Sequence, residues 1–464
     1  MPQPNILWLC TDQQRYDTVG ALNNPHVRTP NINQLVREGV AFTHAFCQSP
    51  ICTPSRASFL TGMYPSTIHA CTNGNETWAD AAPLVTKTLA DAGYDGGLVG
   101  KFHMTGSMDR TEPRLSNDGY RYFEFSHAPR DSWAEGHDYA DWVKEQGHNL
   151  SDLRENPEQI PPELHQTSWC AEKSIEFIEQ DHGEKPWFLS FNPYYPHPPF
   201  DPPQVYRDRY DKDSLPRPLF RDSDLIAQEK LTDVDFQSKA QRPEDFDAQE
   251  IVAKYYAMIE LIDDNIGRIL ASLERTGQRD NTLIIFMSDH GETLGDHGLL
   301  FKGCRFYEGL VRVPLIFSWR NHFQPGLVSD ALVELSDITP TLLEICGLPQ
   351  PERMQGKSLL KLLNGEAVTH RDFVRSEYYH TLRPGKENDF SGSYGTMLRT
   401  ERYKLVVYHG HNFGELFDLE DDPGEFINRW DDPDYQQVRF DLLLQSCDQL
   451  AFAVDIGPKQ IMYS

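Results

Sequence analysis

The sequence predicts an α/β protein: a large, mostly parallel sheet flanked by helices, with a smaller C-terminal antiparallel sheet and helix. Three observations carry this. Short, continuously apolar runs recur along the first three quarters of the chain, as strands buried on both faces require. Segments of helical period stand between them, and repeated βα units build a parallel sheet. After about residue 368 the pattern changes to hairpins. A chain of 464 residues exceeds one compact core, and the expected division is 1–368 and 369–464.

Taken in order, the run over 5–11 ends at Asp12, a polar residue at the carboxyl edge of a buried strand. Thr29-Pro30 opens a helix carrying Ile32, Leu35 and Val36 and closing near Gly39. Pro54 stands where a helix can begin, which puts Cys52 at a helix N-terminus. A helix over 84–92 stops at Gly93 and leads to a strand over 94–99. A helix over 167–180, a strand over 187–191 and a proline-rich loop over 193–203 follow. Residues 201–247 are polar, irregular and proline-spiced, which predicts a surface insertion near the site entrance. The longest periodic segment, 248–275, aligns Ile251, Val252, Tyr255, Ile259, Ile262, Ile266, Ile269 and Leu273 on one stripe. It precedes a strand over 281–287 ending at Ser288-Asp289-His290-Gly291. A strand over 313–317 and a helix over 337–346 complete the alternation. Residues 397–408 read as a hairpin, 415–419 as a short strand and 435–452 as an amphipathic helix.

Composition excludes several classes. With 43 Lys and Arg against 70 Asp and Glu, the formal charge is −27, so nucleic acid and anionic membranes are excluded as partners. No run approaches the ~20 apolar residues of a membrane span. The opening Met1-Pro2-Gln3-Pro4 lacks a basic region ahead of an apolar one, which predicts a cytoplasmic location, a periplasmic or secreted one applying only if a leader was removed. The eight cysteines are scattered without CxxC spacing; they read as buried thiols and not as a disulfide framework or zinc site, with a Cys47–Cys71 bridge left open. An acidic protein that turns over an anion must gather cations locally.

Asp12-Gln13 and Asp289-His290 each follow a strand, and parallel sheets collect ligands at their carboxyl edge. Carboxylates suit calcium, magnesium or manganese, and a histidine shifts the balance towards transition metals. Arg56 falls one helical turn after Cys52, within reach of an anion bound there. Lys101 and His103 are an i, i+2 pair that an extended chain would aim the same way.

Cys52-Thr53-Pro54-Ser55-Arg56, followed by Leu60-Thr61-Gly62, resembles the signature of the type I sulfatases of the alkaline phosphatase superfamily. The resemblance implies that fold and a maturation enzyme that oxidises Cys52 to formylglycine (3-oxoalanine), whose hydrate is the nucleophile. It places the metal on Asp12, Asp289 and His290 with modified Cys52 completing the shell. Calcium is the first expectation, with manganese or magnesium as alternatives. Gln13 replaces a second aspartate and His290 an asparagine, a pair that resembles the choline-sulfatase and phosphonate monoester hydrolase branch. Gly100-Lys101-Phe102-His103 resembles the G-K-x-H element, which favours sulfate. Asn73 matches a contact to the transferred group, with Asn75 close enough to compete, and Gln13 joins it in substrate binding. His197 and Lys302 match leaving-group contacts; Glu292 is expected behind the metal ligands and His297 in a structural role. The stretch from Arg399 to Asp422 resembles the family's C-terminal ending.

The implied reaction is hydrolysis of a small-molecule or saccharide sulfate ester, with catalytic Cys52, Arg56, Lys101, His103, His197 and Lys302. The alternative is a phosphonate or phosphate ester hydrolase on the same scaffold. Trp78, Tyr194, Tyr195 and Phe200 are available to shape a pocket for an aryl, sugar or quaternary amine group. An oligomer is compatible with the sequence, which specifies none.

Overall fold

The computed structural model describes residues 3–74, 83–106, 114–115, 117–128, 137–379 and 392–454. Nine strands form the large sheet: β1 (Asn5–Thr11), β2 (Val40–Phe46), β3 (Asp95–Gly100), β4 (Tyr122–Phe125), β5 (Trp187–Asn192), β6 (Thr282–Ser288), β7 (Arg312–Ser318), β8 (Leu327–Ser329) and β9 (Val333–Glu334). Their order is β4-β3-β5-β1-β6-β7-β2-β8, with β9 also on β2. The run from β4 to β6 is parallel throughout. Only β7 runs against its neighbours. The large sheet is therefore mostly parallel, as expected.

Every residue of β1 and β6 is buried. Ile6, Trp8 and Cys10 face one core while Leu7 and Leu9 face the other, and Leu283, Ile285 and Met287 alternate likewise with Ile284 and Phe286. Sheet alternation thus gives two apolar layers, and continuous apolar runs are what serve both. The helix Ala248–Arg275 lays its isoleucine stripe on the second layer. The helix Cys52–Thr61 is buried along its whole length, and Gly62, at φ 71°, closes it by donating its N–H to Ser58 O at 2.8 Å.

The second sheet is antiparallel: β10 (Phe373–Tyr379), β11 (Tyr394–Thr400), β12 (Tyr403–Tyr408) and β13 (Phe413–Asp418). The helix Gln436–Phe452 packs Leu442 against Leu398, Leu405 and Leu416 of this sheet.

Residues 201–247 are more ordered than their composition suggests. They hold the helix Asp222–Glu229 and bury Tyr206, Tyr210, Leu215, Leu231 and Val234. The eight cysteines are unpaired, so no Cys47–Cys71 bridge forms. Among the described residues, no helix is long and apolar enough to cross a membrane.

Candidate active site

β1 and β6 are adjacent and parallel, with Thr11 opposite Ser288. The next residues, Asp12 and Asp289, therefore emerge side by side. The neighbouring ends of β5 and β3 contribute Tyr194, His197 and Lys101 to the same edge, and the helix Cys52–Thr61 presents Cys52 as its first residue. One ligand atom each of Asp12, Cys52, Asp289 and His290 lie within 4.8 Å of one another. All four side chains are buried.

Cys52 Sγ lies 3.2 Å from His290 Nε2, 3.7 Å from Asp12 Oδ1, 3.5 Å from Lys101 Nζ and 2.8 Å from Lys302 Nζ. Lys101 is ion-paired with Asp12. Burial pushes the thiol up and Asp12 adds to it, yet Lys101, Lys302 and His290 outweigh both and hold it below its ordinary range. Burial likewise opposes ionisation of Asp12, but Lys101, with Lys302 and Arg56, keeps that carboxyl well below the usual range. The cations that a chain of −27 must concentrate are gathered here.

The quartet fits a divalent ion. Two carboxylates, an imidazole and a position next to a cysteine make a mixed hard and borderline donor set. His290 Nδ1 bonds the Gly291 carbonyl at 2.9 Å, so that nitrogen carries the proton and Nε2 is left as a ligand. Asp289 Oδ1 accepts from Gln13 N at 3.0 Å and from His290 N at 2.9 Å.

Other sequence-derived residues take more specific places. Arg56 is committed to Asp289: Nε donates to Asp289 Oδ2 at 2.9 Å and Nη1 to Lys101 O at 3.3 Å. Its nearest chemistry is to orient a ligand as well as to supply charge. Gln13 has φ 71°, and its Nε2 donates to Glu292. Glu292 also receives Leu294 N at 3.1 Å and Phe301 N, so it ties the ligand loop to the Lys302 loop. Asn73 Oδ1 accepts Thr53 N–H at 2.9 Å, seating Asn73 on the N-terminus of the Cys52 helix. Asn75 and Trp78 lie outside the described residues. His297 is structural: its Nδ1 is 3.3 Å from Asp224 and its ring stacks on Tyr307 at 3.8 Å.

The extended geometry expected for Lys101 and His103 is absent. β3 ends at Gly100 and His103 has φ 57°, so strand alternation does not govern the pair. Lys101 reaches Asp12 and Cys52, whereas the His103 ring meets His127 edge-on at 4.5 Å. Burial, then Lys101 and His127, hold His103 well below the usual imidazole range. His197 is likewise held neutral, by burial and then Lys302. Its Nδ1 bonds the Pro198 carbonyl at 2.7 Å and its ring packs on Tyr194 at 4.5 Å.

Sequence reasoning missed the supports. Tyr255, read as part of an apolar stripe, donates its hydroxyl to Gln13 O at 2.6 Å and accepts Arg15 N–H at 2.9 Å. Arg15 Nη1 donates to the carbonyls of Glu292 and Thr293 at 2.9 and 3.0 Å. A hydroxyl inside an isoleucine stripe was the available signal for Tyr255. Arg15 had none.

The sulfatase family profile matches residues 4–348. The chain belongs to the sulfatase family. A second profile, N-sulphoglucosamine sulphohydrolase C-terminal, matches residues 295–450. An arylsulfatase of Clostridium perfringens is 31% identical over 95% of this chain and 93% of its own length. A multifunctional alkaline phosphatase superfamily protein, PehA, of Trinickia caryophylli is 29% identical over 94% of this chain and 93% of its own. The phosphonate monoester hydrolase of Agrobacterium radiobacter superposes with a TM-score of 0.83 at 27% identity, covering 98% of this chain and 96% of that one. This sulfatase is thus an enzyme of the alkaline phosphatase superfamily, with sulfate-ester and phosphonate-ester hydrolases among its similar proteins.

Proposed function

We propose that the protein hydrolyses sulfate monoesters of small molecules or saccharides, using a formylglycine made from Cys52. The observation that carries this is Cys52 at the first position of a buried helix, with Asp12, Asp289, His290, Lys101 and Lys302 converging on its Sγ. Sγ marks the place of a hydroxyl of the formylglycine hydrate. Once one hydroxyl of that hydrate has taken the sulfuryl group and the alcohol has left, loss of the other hydroxyl's proton would re-form the aldehyde and expel inorganic sulfate, an exit that a plain thiol or hydroxyl lacks. Asp12, Asp289 and His290 would hold a divalent cation, calcium first and manganese or magnesium otherwise. Such an ion, when bound, lowers the pKa of an adjacent hydroxyl and polarises a sulfate oxygen.

The chain's own groups divide the remaining work. Lys101 and Lys302 flank the nucleophile and neutralise charge on the sulfate oxygens as the ester bond breaks. Arg56 fixes Asp289 and adds its charge from behind. Asn73, on the helix N-terminus, offers its amide to the transferred group. The family resemblance assigns the hydrate's second hydroxyl proton to His103, which burial keeps neutral and so able to accept it, and whose ring would have to turn from His127 towards position 52 to do so. His197 spends its Nδ1 proton on Pro198, so Lys302 is assigned to protonate the departing alcohol and His197 to hold it in place.

A second reading, a phosphonate or phosphate ester hydrolase, is favoured by the 0.83 superposition. The G-K-x-H element ranks sulfate first. Parallel assays of an aryl sulfate, a phosphodiester and a phosphonate monoester decide the order. The sulfate ester is expected to have the highest kcat/KM, and a higher value for the phosphonate reverses the ranking.

A further inference from the structure

The loop carrying Asp289 and His290 is held from behind by the turn Glu308–Val311. Gly291 N donates to Leu310 O at 2.8 Å and Glu292 N to Gly309 O at 3.0 Å. A Cβ on Gly291 would run into the Gly309 carbonyl, so the two backbones touch with no side chain between them to absorb movement. Displacement of that turn passes directly to the ligand loop.

The turn is anchored in the second sheet. Lys404 of β12 is completely buried. Its Nζ donates to Glu425 Oε1 at 2.7 Å and to Phe306 O at 3.0 Å and is ion-paired with Glu308 Oε1 at 2.7 Å. Glu425 Oε2 accepts Glu308 N–H at 2.7 Å. Arg312 and Arg399 approach Glu308 from the sides at 3.3 and 3.6 Å. Lys404 therefore bridges two buried carboxylates, that of the turn's first residue, Glu308, and that of Glu425. Without it Glu425 would face Glu308 with no cation of its own among the described residues, Glu308 keeping only the more distant Arg312 and Arg399, and the turn would have to move to admit water or separate the two carboxylates.

We propose that Lys404 is a positioning residue for the metal site. By clamping the 308–311 turn it sets Asp289 and His290 against Asp12 and Cys52. The proposal rests on reading that quartet as a metal site.

Calorimetric titration of the metal-free protein with Mn²⁺ tests it. Lys404→Met is expected to weaken Mn²⁺ binding about tenfold, as lost support behind ligands generally does. Glu425→Gln is expected to weaken it by about threefold on the same ground, and it decides alone if Lys404→Met does not fold. Arg402→Ala is the control: it removes a half-exposed pair with Asp418, 2.7 Å apart, at the edge of the same sheet. It should lower the melting temperature and leave Mn²⁺ affinity unchanged. At saturating Mn²⁺ the KM of Lys404→Met for a sulfate ester should equal that of the wild type. Wild-type affinity in the folded variants overturns the proposal, as does affinity falling in step with melting temperature in Arg402→Ala. A wild-type protein that takes up neither Mn²⁺ nor Ca²⁺ refutes the metal reading itself, a separate outcome from failure of the clamp; if it takes up Ca²⁺ alone, the same series is read with Ca²⁺.

Discussion

Lys302 is the residue whose replacement reads the chemistry most cleanly. Its Nζ sits 2.8 Å from Cys52 Sγ and 3.2 Å from His290 Nε2, on a loop fastened to Glu292. Lys302→Met should lower kcat about 10²- to 10³-fold, the usual cost of one preorganised electrostatic group. The loss should be steeper for an alkyl sulfate than for a nitrophenyl sulfate, because only the poor leaving group needs its proton. Steady-state kinetics on the two esters measures this, and equal losses contradict a role on the leaving oxygen. At this scale the sequence singled out the residues that the structure gathers around Cys52, because short motifs and strand ends mark them. It did not show what they touch. That Arg56 spends its guanidinium on Asp289, or that His103 turns towards His127, depends on segments far apart in the chain.

The helix Cys52–Thr61 matters for where it begins. Asn73 accepts the Thr53 N–H and so fixes the first turn, the one that holds Cys52. Asn73→Ala should cost about 1 kcal/mol of stability in urea unfolding, as loss of a helix-cap acceptor does; an unchanged midpoint would show that the bond carries no load. The ligand loop admits a sharper test. Gly291→Ala places a methyl against the Gly309 carbonyl, so Mn²⁺ binding should weaken well beyond any fall in melting temperature, with calorimetry as the readout. Most strands and helices of the large sheet were legible because apolar runs and isoleucine stripes are local signals. β2, β4, β8, β9 and β10 were not. β2 carries Thr43 and His44 at its centre, where its register on β7 shifts. β10 buries Arg375, Ser376 and Glu377, charges that read as surface until their partners are seen: Arg375 pairs with Glu377 at 3.2 Å, and its N–H meets Glu334 at 2.8 Å.

On the scale of the whole molecule, a second group of buried charges ties the two sheets together. Asp337 pairs with Arg371, lies 3.2 Å from His370, and accepts Glu334 N at 2.9 Å and Lys357 N at 2.7 Å. Burial opposes its ionisation, but Arg371 prevails and holds the carboxyl far below its ordinary range. A carboxyl depressed in the folded state contributes stability fully above its unfolded pKa, and that contribution is lost as pH falls towards the folded value. Arg371→Met should therefore cost about 3–5 kcal/mol near neutrality, as breaking a buried pair does. It should also flatten the decline in stability below about pH 4, where the wild type still draws on the pair. Urea unfolding across pH measures both, and a parallel acid limb in the variant contradicts the assignment. The mostly parallel sheet and the small C-terminal sheet were legible from βα repetition and the late change of pattern. The antiparallel placement of β7 between β6 and β2 was not, because strand direction is set by connections that leave no mark on composition.

The account depends most on the side chain at position 52. Mass spectrometry of its peptide, from preparations that differ in maturation, compared with aryl sulfatase kcat, tests it most directly. Turnover should rise in proportion to the fraction carrying the aldehyde and vanish where only thiol remains. Full turnover from protein that retains the Cys52 thiol would contradict it.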